Sequence, residues 1–139
     1  MKFISELESL IKEIDADFDP PLSSSVNLAN YAKKMYENAT IFSVHEGGKL
    51  VALMAVYSND VNRQAAFGTM LAVAKSHRVY GLGPNLIKTT IDYLKKKSFR
   101  SFKLEIHKTN PRVINLYKRL KFNVVGETNS SVFVELILV

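Results

Sequence analysis

Arg78-Val79-Tyr80-Gly81-Leu82-Gly83-Pro84 is the stretch on which the reading of this chain turns. It follows an apolar run at residues 65–73, Ala-Ala-Phe-Gly-Thr-Met-Leu-Ala-Val, which suits a strand covered on both faces. It leads into a segment, roughly 84–97, where Leu86, Ile87, Ile91 and Leu94 recur at helical spacing. Glycines in such a turn admit backbone angles closed to other residues and let a ligand come close. Pro84 suits a first helical turn, where its missing N–H costs nothing. The remaining free N–H groups and the helix dipole face the turn and make an anion site. Arg78, with Lys75 and His77 nearby in the chain, adds positive charge, so a diphosphate is a natural ligand. A plain strand-to-helix bend is the alternative on this segment alone. Two commoner phosphate loops do not fit. Leu86 stands where the dinucleotide fingerprint needs a third glycine, and Gly-Lys-Ser/Thr is absent.

Outward from the turn, apolar periodicity orders the rest. Phe3, Leu7, Leu10, Ile11 and Ile14 give a first helix, and Leu28, Tyr31, Ala32 and Met35 a second over roughly 26–38. Pro20-Pro21 and Ser23-Ser24-Ser25 mark a loop between them. Residues 40–45 and 49–57 read as a hairpin about Gly47-Gly48. Residues 58–64 are polar and loop-like, and Lys95-Lys96-Lys97 closes the helix after the glycine turn, as its dipole favours. Phe102, Leu104 and Ile106 alternate with Lys103, Glu105 and His107, a strand pattern. Val113, Leu116, Tyr117 and Leu120 give another helix face, and short strands near 122–126 and 132–138 finish the chain. The order is α-α-β-β-β-α-β-α-β-β, with no repeat or linker, so a single domain over residues 1–139 is expected.

Composition narrows the class. The 139 residues are 47% apolar and 23% charged, enough for one core without staples. With no cysteine, disulfides and thiolate metal sites are excluded. The histidines at 45, 77 and 107 lack metal-ligand spacing, so no metal is expected. No run approaches the ~20 apolar residues of a membrane span, and the N-terminus acquires acidic residues too early for a signal peptide. A cytoplasmic protein that binds no membrane is expected. The net charge of +6 draws anions generally. Lys95–Lys97 has Tyr93 and Phe99 nearby. Those rings suit a core equally well, and no nucleic-acid partner is expected.

Two motifs together resemble the GNAT acetyltransferases. The glycine turn matches that family's diphosphate motif, Gln/Arg-x-x-Gly-x-Gly/Ala, as Arg78-x-x-Gly81-x-Gly83, and Leu71-Ala72-Val73 falls where the family's apolar strand ends. Further on, Asn110, Leu116, Tyr117 and Phe122 fall in register with Asn-x-x-Ala-x-x-Leu-Tyr-x-x-x-Gly-Phe. There are departures. Val113 stands for alanine, Val79-Tyr80 replaces a frequent Gly-Lys, and no strand precedes the first helix. Lys121 stands for glycine, so the helix is expected to end other than through an achiral cap.

The resemblance implies an α/β fold: a central mixed, mostly antiparallel sheet flanked by about four helices and splayed between strands 65–73 and 101–107. Acetyl-coenzyme A would lie in the gap as co-substrate. Backbone groups of the Leu71-Ala72-Val73 strand end would bond its pantetheine arm. Amides of Arg78, Val79, Tyr80, Gly81, Leu82, Gly83 and Pro84's turn would hold the diphosphate. Asn110 would touch the cofactor, and Tyr117 would sit by the sulfur.

Acetyl transfer to an amine needs a neutral amine, a stabilised oxyanion and a proton for the departing thiolate. A lysine-like amine is neutral in only about one molecule in 2,500 at pH 7, so a base helps. Tyr117 fits the acid role, since a phenol is protonated at pH 7. A core tyrosine on an apolar helix face is the plain alternative. Glu105 leads the candidates for base, with His107 on the same strand face, and Glu46, Asp60 and Glu135 behind them. A bulge near Val73 would supply an N–H for the oxyanion. The loop 57–63 on one side, and the leading helices with the loop 15–25 on the other, are expected to wall an acceptor site for a small-molecule amine. A homodimer remains open. The alternatives are a coenzyme-A-binding module without turnover, a protein N-terminal or lysine acetyltransferase, and a nucleic-acid-binding domain.

Overall fold

The computed structural model of the protein describes residues 2–18 and 20–139; Met1, Asp19 and the side chain of Val79, an expected cofactor contact, lie outside that set. Helix α1 is Lys2–Ile14 and α2 is Leu28–Asn38. Strands β1 (Thr40–Glu46), β2 (Lys49–Tyr57) and β3 (Ala65–Val73) follow. Then come α3 (Leu82–Lys96), β4 (Ser101–His107), α4 (Pro111–Arg119), β5 (Asn123–Glu127) and β6 (Ser131–Ile137). This is the expected order of elements.

The strands form one sheet in the order β1-β2-β3-β4-β6-β5. Only β3 and β4 run parallel, as a connection through α3 dictates. Helices α1 and α2 cover one face with Leu7, Leu10, Ile11, Ala32 and Met35, packed on Val51, Leu53, Ala55, Met70 and Ala72. Helices α3 and α4 cover the other, where Leu86, Ile87, Leu94 and Tyr117 meet Met54, Val56, Phe102, Leu104 and Ile106. Strand β2 is buried on both faces, which explains its continuous apolar run.

Two features of the sheet place the site. Strand β3 pairs with β4 only from Ala65↔Ser101 to Gly68↔Leu104; beyond that the two diverge. The bulge in β3 falls at Thr69, because Ala55 pairs with Met70 while Val56 pairs with Gly68. The expected bulge near Val73 is therefore corrected: that end of β3 is regular against β2, with Ala52↔Val73 and Leu53↔Ala72 in step. Thr69 is held by a 3.0 Å hydroxyl contact with Tyr31 of α2.

Two local expectations also change. Helix α3 starts at Leu82, two residues before Pro84, which sits inside the first turn, where it blocks no bond. Lys121 does not force a different helix ending. It adopts φ +76°, the left-handed conformation glycine usually takes, and the amides of Phe122 and Lys121 donate to the carbonyls of Tyr117 and Lys118.

Candidate active site

The divergence of β3 and β4 opens a cleft with a cavity volume of about 120 Å³. Gly68, Thr69, Met70 and Leu71 line one wall, and Leu104, Glu105, Ile106 and His107 the other. Asn110, Val113 and Tyr117 of α4 close one end, and Asp17 and Phe18 reach in from the α1–α2 connection.

The β3 wall has a free backbone edge. Ala74 donates to Val51 of β2 at 2.7 Å. Backbone polar groups alternate along a strand, so those of Leu71 and Val73 point away from β2, and Leu71 lines the cleft. Ala72, between them, turns its groups to β2 and its side chain into the core. Arg78 Nε reaches back across the strand end to bond the carbonyl of Val73 at 3.1 Å.

Residues Lys75–Tyr80 form a 3-10 turn, and Gly81 then takes φ +71° ahead of α3. A Cβ on Gly81 would meet nothing within 4 Å, so glycine serves the backbone angle there and leaves open space outside it. No side chain caps α3. Its first internal bond runs from Asn85 to the Gly81 carbonyl, which leaves the amides of Leu82 and Gly83 outside the helical ladder. Among the described residues none within 72–84 lines the cleft, but Gly83 lies beside Leu71 of its wall, where a Cβ would come 3.8 Å from Leu71 Cδ2. A bare helix N-terminus suits an anion, and the free edge of β3 suits an extended amide-bearing arm. The residues present thus fit both parts of an acyl-coenzyme A. Tyr80 stands exposed on this turn, and His77 Nε2 lies 3.2 Å from the Glu46 carboxylate. The Arg78 guanidinium is paired with Asp17, and the Lys75 ammonium lies 4.0 Å from the same carboxylate.

Tyr117 is 1% exposed and stacks edge-on against Phe122 with centroids 5.1 Å apart. Burial pushes its phenol above the usual value. It therefore stays protonated at physiological pH and serves as a hydrogen-bond donor. Among the described residues no protein group bonds its hydroxyl, which is not sealed away either, since no buried side-chain polar atom is left unpartnered. Asn110 is the N-cap residue of α4, but its side chain makes no capping bond and instead lines the cleft.

Glu105 and Tyr117 approach the cleft from opposite faces of the sheet. Leu104 and Ile106 join the α3–α4 core with Tyr117, so the strand pleat turns Glu105 and His107 to the other side. Glu105 Oε2 accepts a 2.6 Å bond from Ser131 of β6. The other candidate bases lie elsewhere. Asp60 accepts from the amides of Asn62, Ala65 and Gln64, which hold its carboxyl below the usual range and fix the β2–β3 loop. Glu135 sits 3.6 Å from Lys103, and Glu46 by His77. The polar loop 58–64 is not an acceptor wall: it borders a separate hollow with Tyr93, Lys97 and Phe99, and Arg63 bonds the Lys97 carbonyl at the C-terminus of α3. It enters β3 at the end where that strand is paired with β4, away from the divergence.

Asp17 and Phe18 fall in the segment 15–25, an expected wall of the site. Gly68, Thr69 and Ser131 are not among the residues expected of the site. A glycine inside an apolar strand is a signal for a bulge or close approach that points to the first two, whereas Ser131 meets Glu105 only through folding.

Residues 7–122 match the model of the acetyltransferase (GNAT) family. The chain belongs to that family. It is an acetyltransferase, and the family draws its acyl group from acetyl-coenzyme A. None of the curated proteins compared matches it by sequence. Several solved structures share its fold. The ribosomal-protein-S18-alanine N-acetyltransferase of Escherichia coli superposes with a TM-score of 0.79 at 21% identity, over 97% of this chain and 87% of that one. An aminoglycoside 6'-acetyltransferase type Ii gives 0.82 at 12% identity, over 99% and 91%. The PaiA N-acetyltransferase of Thermoplasma acidophilum, solved in complex with coenzyme A, gives 0.72 at 14%, over 96% and 94%. The GNAT chain described here has no helix, among its described residues, long and apolar enough to cross a membrane.

Proposed function

We propose that residues 1–139 form one cytoplasmic N-acetyltransferase domain acting on the primary amine of a small metabolite. The observation that carries this reading is the cleft at the β3–β4 divergence, with a free strand edge and a bare helix N-terminus at one side and Glu105 at the other.

When bound, acetyl-coenzyme A supplies an activated thioester acetyl group. Leu71 and Val73 offer backbone groups to its pantetheine arm, and the amides of residues 78–83 offer donors to its diphosphate. Asn110 contacts it from α4. Glu105, directly or through water, accepts the proton of the attacking amine. Tyr117 donates a hydrogen bond to the departing sulfur. With its phenol raised by burial, the hydrogen bond counts for more than full proton transfer. Asp17 and Phe18 line the same cleft as Glu105, and a cavity of about 120 Å³ suits a compact amine better than a folded protein surface.

A protein N-terminus is the second reading, favoured by the likeness to the S18-alanine N-acetyltransferase. The test is release of coenzyme A thiol with glucosamine, spermidine and an alanine-initiated peptide as acceptors. Turnover of either small amine above the peptide supports the proposal. Preference for the peptide transfers it to the second reading. Coenzyme A binding without thiol release from any amine reduces the protein to a binding module.

A further inference from the structure

Three polar side chains are buried among the described residues: Thr90, Ser101 and Ser131. Thr90 and Ser101 donate to backbone carbonyls, of Leu86 and Gln64, the usual way a core hydroxyl is satisfied. Ser131 differs, for its hydroxyl donates at 2.6 Å to the Glu105 carboxylate in the cleft. The β5–β6 turn is built to hold it there. The Thr128 hydroxyl accepts from the amides of Ser130 and Ser131, and the Thr128 amide donates to the Ser131 carbonyl. The Lys108 amide, just past the end of β4, donates to the Ser130 carbonyl at 2.8 Å and ties the turn to the strand that carries Glu105. In the sheet register Ser131 faces His107, one pleat beyond Glu105, so the hydroxyl reaches diagonally to it.

We infer that Ser131 is a positioning residue for the acetyl-transfer reaction: it fixes the Glu105 carboxylate in the geometry from which it takes the amine proton. The inference rests on Glu105 as the base. Glu105 is exposed and joins no ion pair among the described residues. A glutamate so placed loses rotamer freedom only if something grips it, and proton abstraction is sensitive to placement at the scale of a single hydrogen bond. Ser131 grips one oxygen and leaves the second to the substrate. Because Ser131 is clamped by its own turn, its grip transmits the rigidity of the sheet.

The test is a double-mutant cycle on thiol release, with the fastest of the three probe amines. Ser131→Ala is expected to lower kcat by about tenfold, with KM for acetyl-coenzyme A within about twofold of the parent. Ser131→Cys, of similar shape but a weak donor, behaves like the alanine variant and stands in for it should that variant fold poorly. Ser131→Thr, which keeps the hydroxyl, restores most of the rate. In a Glu105→Gln background the Ser131→Ala change has no further effect. A Ser131→Ala enzyme at full rate, or one that loses the same factor with and without Glu105, overturns the inference. Full activity of Glu105→Gln alone removes Glu105 as base, and the positioning role with it, a result separate from the other two.

Discussion

Arg78 Nε lies 3.1 Å from the carbonyl of Val73, so the first residue of the glycine turn bonds back onto the strand edge that precedes it. The same guanidinium is paired with Asp17 from the α1–α2 connection. The glycine turn, the β3 edge and the wall of the cleft are therefore tied at one point. Asp17 also brings negative charge close to an anion site. Asp17→Asn is expected to tighten coenzyme A binding by roughly threefold at low salt, with the gain shrinking as salt is added. Calorimetry at two ionic strengths checks this; weaker binding would show instead that the ion pair braces the turn.

Gly81 holds a left-handed conformation beside the uncapped start of α3. An aspartate there meets no steric barrier from neighbours but sets a carboxylate where the diphosphate belongs. Gly81→Asp should weaken coenzyme A binding by about tenfold or more. Gly81→Ala should lose only the backbone cost, on the order of 1 kcal/mol of stability. An unchanged dissociation constant for the aspartate variant would remove the diphosphate role from this turn.

Tyr117 packs through its ring, and among the described residues no protein group bonds its hydroxyl. Removing that oxygen leaves the packing intact. Tyr117→Phe is expected to lower kcat by about 10²-fold while coenzyme A affinity stays within about twofold. Steady-state kinetics alongside calorimetry separates the two, and a fully active variant would return Tyr117 to the core.

Gly68 closes the last pair before β3 and β4 part. A Cβ there would lie 2.5 Å from Leu104 Cδ2 and 2.9 Å from its Cγ, with Phe102 at 3.1 Å. Gly68→Ala must push Leu104 or β4 aside and should destabilise the protein by about 1–3 kcal/mol. A denaturant midpoint equal to the parent's would show that the strands part with room to spare.

Lys121 makes the same left-handed cap that glycine makes, at a conformational penalty. Lys121→Gly should stabilise the protein by about 1 kcal/mol, read as a higher denaturant midpoint with the slope unchanged.

The order of elements and the family were legible because they rest on local rules. Apolar periodicity separated Phe102, Leu104 and Ile106 from Lys103, Glu105 and His107, and placed Tyr117 on a buried helix face. Gly81, Gly83 and Pro84 fixed a strand-to-helix turn whose free amides follow from helix geometry alone. Lys121 shows where residue preference misleads: neighbouring bonds from Phe122 and Lys121 outweigh a penalty of about 1–2 kcal/mol.

The sequence by itself determined which segments become helix or strand, and which turn presents bare amides, because those depend on neighbours in the chain. Only the tertiary structure decided where β3 leaves β4, that Thr69 and not Val73 carries the bulge, that loop 58–64 stands away from the cleft, and that Asp17 and Ser131 join it. Those outcomes depend on contacts between residues distant in sequence, such as Gly68 with Leu104 and Ser131 with Glu105, which no local periodicity encodes.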